Sequence, residues 1–238
     1  MHKLSKDQQA LILTRNRLIP FSVALWPDYR PAKHLRLIAN ALEKIERGEI
    51  KNLAISMPPR HGKSQLASVY FPAWYMGRNP QSNVIFTSYG QSIANDFGYK
   101  VKTVFTNPTY KSIFPEYQLS DIAYSKNEMR STSGGVYYAV GAGGPLTSRG
   151  GDCIIIDDPI KNREDAESEL MREKIWSWYR STLFTRKSPN ATIILIQTRW
   201  HSDDLMGKIL KEEASDWHIL NLPAINDKNE AQIGRAHV

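Results

Sequence analysis

The stretch Ser56–Ser64, SMPPRHGKS, restricts what this chain can fold into more than any other. It follows the apolar run Leu53-Ala54-Ile55 and leads into Gln65-Leu66-Ala67-Ser68-Val69-Tyr70, so a buried strand passes through a turn into the start of a helix. In that setting a Gly-Lys-Ser turn is a phosphate-binding loop. Backbone N–H groups at the helix start cradle phosphate oxygens, the lysine reaches the β- and γ-phosphates, and the serine hydroxyl joins a Mg²⁺ shell. Gly62, Lys63 and Ser64 fill those places, within a candidate nucleotide-binding set of Pro59, Arg60, His61, Gly62, Lys63, Ser64 and Gln65. Met57 stands where the pattern G-x-x-x-x-G-K-[ST] has its first glycine. The alternative is a basic surface turn.

A chain of 238 residues, 41% hydrophobic and 23% charged, is long enough for one α/β domain with a substantial core. The net charge of +7 permits an anionic partner without requiring one. The single cysteine, Cys153, excludes an internal disulfide. No secretory signal is visible, and no apolar run approaches the roughly 18 residues of a membrane span.

Residues 1–52 are expected to be helical. Ala32–Ile50 places Leu35, Leu37, Ile38, Ala41, Leu42 and Ile45 at helical spacing, with Gly48 as a stop signal. A helix placed just before a phosphate-binding strand often lines the adenine pocket, which makes His34 and Arg36 candidates; an ordinary helix surface explains both equally well. Beyond the loop, the spacing predicts a helix over 63–76 with Pro72 kinking it or in its last turn, a strand over 84–87, a short helix over 92–100 and a loop through Pro108 and Pro115. Met129–Thr132 and Val136–Val140 flank Ser133-Gly134-Gly135, a hairpin signal. Gly141–Gly151 is read as an active-site loop carrying Arg149 toward phosphates, against the alternative of a plain linker.

Cys153–Asp158, CIIIDD, reads as a strand buried on both faces with two acids at its carboxyl end, where phosphate chemistry needs carboxylates. Asp157 is the candidate Mg²⁺ ligand with Ser64, and Asp158 stands where related ATPases orient the attacking water. A strand-ending turn is the other reading. A long helix is expected over 161–186, its early acids Glu164, Asp165, Glu167 and Glu169 complementing the helix dipole or sharing the catalytic role. Thr192–Thr198 is another buried strand, whose polar end, Gln197 and Thr198, is the candidate γ-phosphate sensor, with Arg199 beside it. A helix over 203–211 and a fifth strand over 217–222 follow. Histidines at metal spacing and G-x-S-x-G are both lacking, which argues against zinc or serine-nucleophile catalysis.

ISMPPRHGKS, FPAWYMGRNP, GAGGPLTSRGGDCIIIDDPIKNREDAES, WSWYRSTLFTR and IQTRWHSDDL, in this order, resemble the large terminase subunit of tailed bacteriophages from about Arg30 to about Ile225. The resemblance implies an ATP-driven, Mg²⁺-dependent motor that moves double-stranded DNA into a procapsid with a portal protein and a small terminase subunit. It also implies a homo-oligomeric ring on the portal, no membrane partner, and a place in the host bacterial cytoplasm, transiently at the portal vertex. Carried over by position, Arg60 and Lys63 match the family's arginine-bearing phosphate loop, Asp157 and Asp158 its metal and catalytic acids, and Thr198 its coupling motif. Since Arg60, Arg149 and Arg199 are more arginines than one nucleotide needs, Arg149 is a candidate to complete a neighbouring subunit's site, the alternative being that it acts in its own subunit or contacts DNA phosphates.

The expected fold is an additional-strand phosphate-loop NTPase with a largely parallel five-stranded core flanked by helices and a β-hairpin insertion. Residues 1–52 form a helical lead-in, 53–225 the motor, and 226–238 a truncated linker. Its last residues, Ile233–Val238, match a translated sequencing adapter, so the family's nuclease domain is read as missing. The runner-up functions are a helicase-like, DNA-stimulated ATPase and a nucleotide-binding assembly protein that hydrolyses nothing.

Overall fold

The computed structural model describes residues 4–121, 127–144, 150–225 and 233. The apolar runs 53–55, 84–87, 153–156 and 193–196 are each flanked by turn residues and rich in Ile and Val, and they pair side by side as buried parallel strands. They form the centre of a seven-stranded sheet of order β3-β4-β2-β5-β6-β1-β7. The strands are β1 (Asn52–Ser56), β2 (Val84–Ser88), β3 (Glu128–Arg130), β4 (Val136–Gly141), β5 (Gly151–Asp157), β6 (Lys187–Gln197) and β7 (His218–Asn221). β6 lies between β5 and β1, so one strand separates the two nucleotide motifs, as expected. The expected hairpin is present, with Glu128 opposite Tyr138 and Arg130 opposite Val136. It is continuous with the sheet, because β4 also pairs parallel to β2 and extends the five-stranded core.

Strand alternation divides the core in two. Leu53, Ile55, Phe86, Cys153, Ile155, Ile194 and Ile196 face one set of helices. That set is α2 (Leu18–Leu25), α3 (Lys33–Glu46), α4 (Phe71–Arg78), α5 (Gln91–Thr106) and α6 (Pro108–Ile113), with α1 (Lys6–Asn16), which buries no residue, lying outside it against α2 and α6. Ala54, Ile85, Ile154, Ile156, Ile193 and Leu195 face the other set: α7 (Arg163–Glu167), α8 (Glu169–Trp178) and α9 (Leu205–Glu212). Leu18, Phe21, Leu35 and Ile38 join the first core, α3 packing against β1 and α2 against the helices around it. Ile233 is buried in the same core. None of the helices among the described residues is long and apolar enough to cross a membrane.

Several elements differ from the sequence expectation. α3 ends where Gly48 takes φ +74°, but Leu37 is 44% exposed and stands outside the buried stripe. α5 runs on to Thr106 because Val101, Val104 and Phe105 continue the buried face begun by Ala94 and Gly98. The 107–113 segment is helical, with Asn107 capping the N–H of Thr109 and Pro108 in the first turn. The expected long helix over 161–186 breaks at Ser168, which caps α8 while Arg172 donates to the carbonyls of Ala166 and Glu167.

The helix after the Gly-Lys-Ser turn opens into wide i→i+5 turns over Gln65–Tyr70 before α4. Pro72 has no N–H, and in a regular α-helix its ring would collide with the carbonyl four residues back, that of Ser68. The wide turns, closing with Phe71 N–H donating to Leu66 O, fall directly before it. At the far end of α4, Trp74 Nε1 and Arg78 Nη1 each donate to Arg15 O at 3.0 Å, and Arg78 Nε pairs with Glu46 at 2.7 Å.

Candidate active site

The site forms where β1, β5 and β6 end beneath the start of the helix that follows the loop. After β1 the backbone turns through left-handed conformations at Arg60 (φ 63°) and Gly62 (φ 82°), which brings the chain into helix at Lys63. Glycine takes this conformation freely, whereas Arg60 holds it against its own Cβ. Pro59 and Arg60 are exposed and His61, Ser64 and Gln65 half-buried, while Lys63 keeps only 4% exposure.

Lys63 Nζ donates to Thr198 Oγ1 at 2.9 Å and lies 3.5 Å from Asp158 Oδ2. Asp158 follows β5 at φ 44°, its N–H bonded to Ile196 O at 2.8 Å, while its Oδ1 accepts from Thr198 N–H at 2.6 Å. Asp157 ends the strand, 2% exposed. Its Oδ1 accepts from Ser64 Oγ at 3.1 Å and its Oδ2 from Ser68 Oγ at 2.7 Å. Burial, and then the neighbouring Asp158 charge, push the Asp157 carboxyl up to about 7. The two serine hydroxyls and Lys63 oppose that rise.

A hydroxyl and a buried carboxylate whose charge is costly to hold make a hard-oxygen donor pair suited to Mg²⁺. The described residues contain no group of three or more His, Cys, Asp or Glu that could hold a metal. Mg²⁺ usually takes one or two protein oxygens and completes its shell from phosphates and water. Beside the loop opens a cleft of about 520 Å³ lined by Arg60, Gly62, Lys63, Ser64, Gln65, Phe97 and Lys100. The last two come from α5, with Lys100 Nζ 5.0 Å from the centroid of the Phe97 ring.

The structure thus brings together Lys63, Ser64, Asp157, Asp158 and Thr198, with Arg60 at the cleft. Three other candidates are placed elsewhere. His34 has no exposed surface to offer an adenine ring; its Nε2 donates to His61 O at 3.0 Å, bracing the loop from below. Burial lowers its pKa, consistent with a neutral ring in that role. Gln197 is the last residue of its strand and points to the opposite face, where its Oε1 accepts from Met206 N–H at 3.3 Å. Arg199 is engaged by Asp204 at 3.0 Å and by the carbonyls of His201 and Ser202. Asp204 also caps α9, so Arg199 is tied into the loop that leads into that helix. Arg36 stands exposed on α3, and Arg149 lies outside the described residues. Sequence reasoning missed Ser68, although a serine one helical turn beyond Ser64, inside an apolar run, is a visible signal.

The sequence matches the family model described as terminase large subunit, T4likevirus-type, N-terminal, over residues 54–235. Among solved structures, the large terminase of bacteriophage HK97 overlays with a TM-score of 0.62 at 15% identity, covering 90% of this chain and 44% of that one. The large terminase of a thermophilic bacteriophage, in complex with ATP-γ-S, overlays more loosely, with a TM-score of 0.45 at 12% identity, covering 83% and 45%. The chain therefore spans less than half the length of either. No curated protein sequence matches it.

Proposed function

The chain belongs to the T4-like-type terminase large-subunit family, in its N-terminal region, and on that premise we propose that it is the ATP-hydrolysing motor of a double-stranded DNA packaging machine. The observation that carries the hydrolytic reading is the convergence of Lys63, Asp158 and Thr198 within hydrogen-bond or ion-pair distance, one residue from a hydroxyl–carboxylate pair. Lys63 would turn its ammonium from Thr198 to the β- and γ-phosphates, and Asp158, so relieved of its counter-charge, would orient the attacking water. Thr198 would report the exchange along β6. Ser64 and Asp157 would hold Mg²⁺, whose chemistry when bound is to neutralise charge developing on the phosphate oxygens. Arg60, at the mouth of the cleft, would add positive charge there.

On the same reading the partners are double-stranded DNA, a portal protein and a small terminase subunit, in a homo-oligomeric ring on the portal in the host cytoplasm. Arg149 would serve a neighbouring subunit's site. The test is steady-state ATP hydrolysis with and without Mg²⁺ and duplex DNA, comparing wild type with Lys63→Met, which keeps the buried stem. Turnover should fall about 10²–10³-fold in the variant. A wild type that binds ATP without hydrolysing it would favour the assembly-protein alternative. Strand separation on a forked duplex would favour the helicase-like one.

A further inference from the structure

Helical hydroxyls in this protein ordinarily return their proton to their own helix. Ser22 Oγ donates to Leu18 O at 2.8 Å, Ser181 Oγ to Ser177 O at 2.6 Å and Thr103 Oγ1 to Tyr99 O at 3.0 Å, each four residues back. Ser68 departs from this habit. It has no exposed surface, and its Oγ crosses to β5 to donate its one proton to Asp157 Oδ2 at 2.7 Å. Ser64, four residues earlier and therefore on the same side of the helix, takes the other oxygen. The χ2 torsion of an aspartate is soft and roughly two-fold, so a carboxylate held at one oxygen swings readily. Held at both, Asp157 keeps Oδ1 toward Ser64.

We propose that Ser68 is a positioning residue for the Mg²⁺ site: by occupying Asp157 Oδ2 it keeps Oδ1 aimed at the place shared with the Ser64 hydroxyl, an inference that rests on the nucleotide-site reading above. Pro72 contributes from the sequence side. The carbonyl with which its ring would collide belongs to Ser68, and the wide turns of 65–70 directly before it carry Ser68 over β5.

The experiment titrates Mg²⁺ into wild type, Ser68→Ala and Ser68→Thr in the presence of a fluorescent non-hydrolysable ATP analogue, with a parallel titration of the analogue in EDTA. Ser68→Ala should raise the Mg²⁺ concentration for half-maximal binding about tenfold or more, the cost typical of losing a group that orients a metal ligand. Its metal-free affinity should stay near wild type, its melting temperature should fall by about 2–4 °C for the lost buried hydrogen bond, and Ser68→Thr should recover most of the Mg²⁺ response. An Ala midpoint within twofold of wild type overturns the proposal. Equal loss of binding with and without Mg²⁺ also overturns it, since that marks a role in the fold alone. If wild type itself shows no Mg²⁺-dependent binding, the nucleotide-site reading has failed as well, and the two failures are thereby told apart.

Discussion

The neighbouring strands β5 and β6 each end in a polar dipeptide, Asp157–Asp158 and Gln197–Thr198, and the fold treats the two differently. Asp157 keeps strand alternation and faces the serines of the loop helix. Asp158 should then face away, but its left-handed backbone (φ 44°) breaks the alternation and returns its carboxylate to Lys63. Gln197 obeys the alternation and is lost to the α9 side, while Thr198 reaches Lys63. A polar pair at a strand end delivers both side chains to one site only where the backbone leaves the extended conformation, at a strain of about 1–2 kcal/mol for a residue with a Cβ.

The comparison breaks most sharply at Asp158. Asp158→Asn should retain nucleotide binding but lower single-turnover hydrolysis about 10²–10³-fold, as for removal of a group acting on the reacting atoms. Near-normal hydrolysis in Asp158→Asn, with a slow Glu164→Gln or Glu169→Gln, would move the water-orienting role downstream. A smaller effect is expected from Asp157→Asn on stability. The folded protein keeps its Asp157 proton up to about pH 7 whereas the unfolded chain loses it in the usual carboxylate range, so this group makes the nucleotide-free fold less stable as pH rises through that window. The melting temperature of Asp157→Asn relative to wild type should therefore rise by about 2–4 °C or more between pH 5 and pH 8, for about 1 kcal/mol or more of relieved cost. Calorimetry showing no pH dependence in that difference would contradict it. The smallest effect belongs to Gln197. Gln197→Leu removes the bond to Met206 N–H but also a buried Nε2 with no partner among the described residues, so turnover should stay within about twofold of wild type. A loss comparable to that of Asp158→Asn would return Gln197 to the catalytic site.

Much of this was legible because the informative patterns are local. The run Cys153–Ile156 specifies a strand buried on both faces, and the Gly-Lys-Ser turn falls between a strand and a helix as its neighbours in sequence require. What was not legible depends on direction or on packing at long range. The side chosen by Gln197 follows from where β6 stops being extended, a choice made by its pairing with β1 and β5. The buried position of His34 follows from how α3 packs against the loop, which helical spacing leaves undetermined. Ser68 and Asp157 are adjacent only because the wide turn and β5 meet. Arg199 looked available for phosphate because nothing in the sequence announces Asp204 as both helix cap and counter-ion.

The attachments of Trp74 and Arg78 give the loop helix the mechanics of a cantilever. Its far end is bolted to Arg15 on α1 and Glu46 on α3, of which α3 packs against β1. Its near end carries Lys63 and Ser64. Between them lies the one stretch, Gln65–Tyr70, whose turns are wound more loosely than an α-helix. A displacement of Lys63 would reach this stretch before it reached the bolts. The other contact from Lys63 runs sideways, through Thr198 at the end of β6 to the Arg199–Asp204 loop at the head of α9.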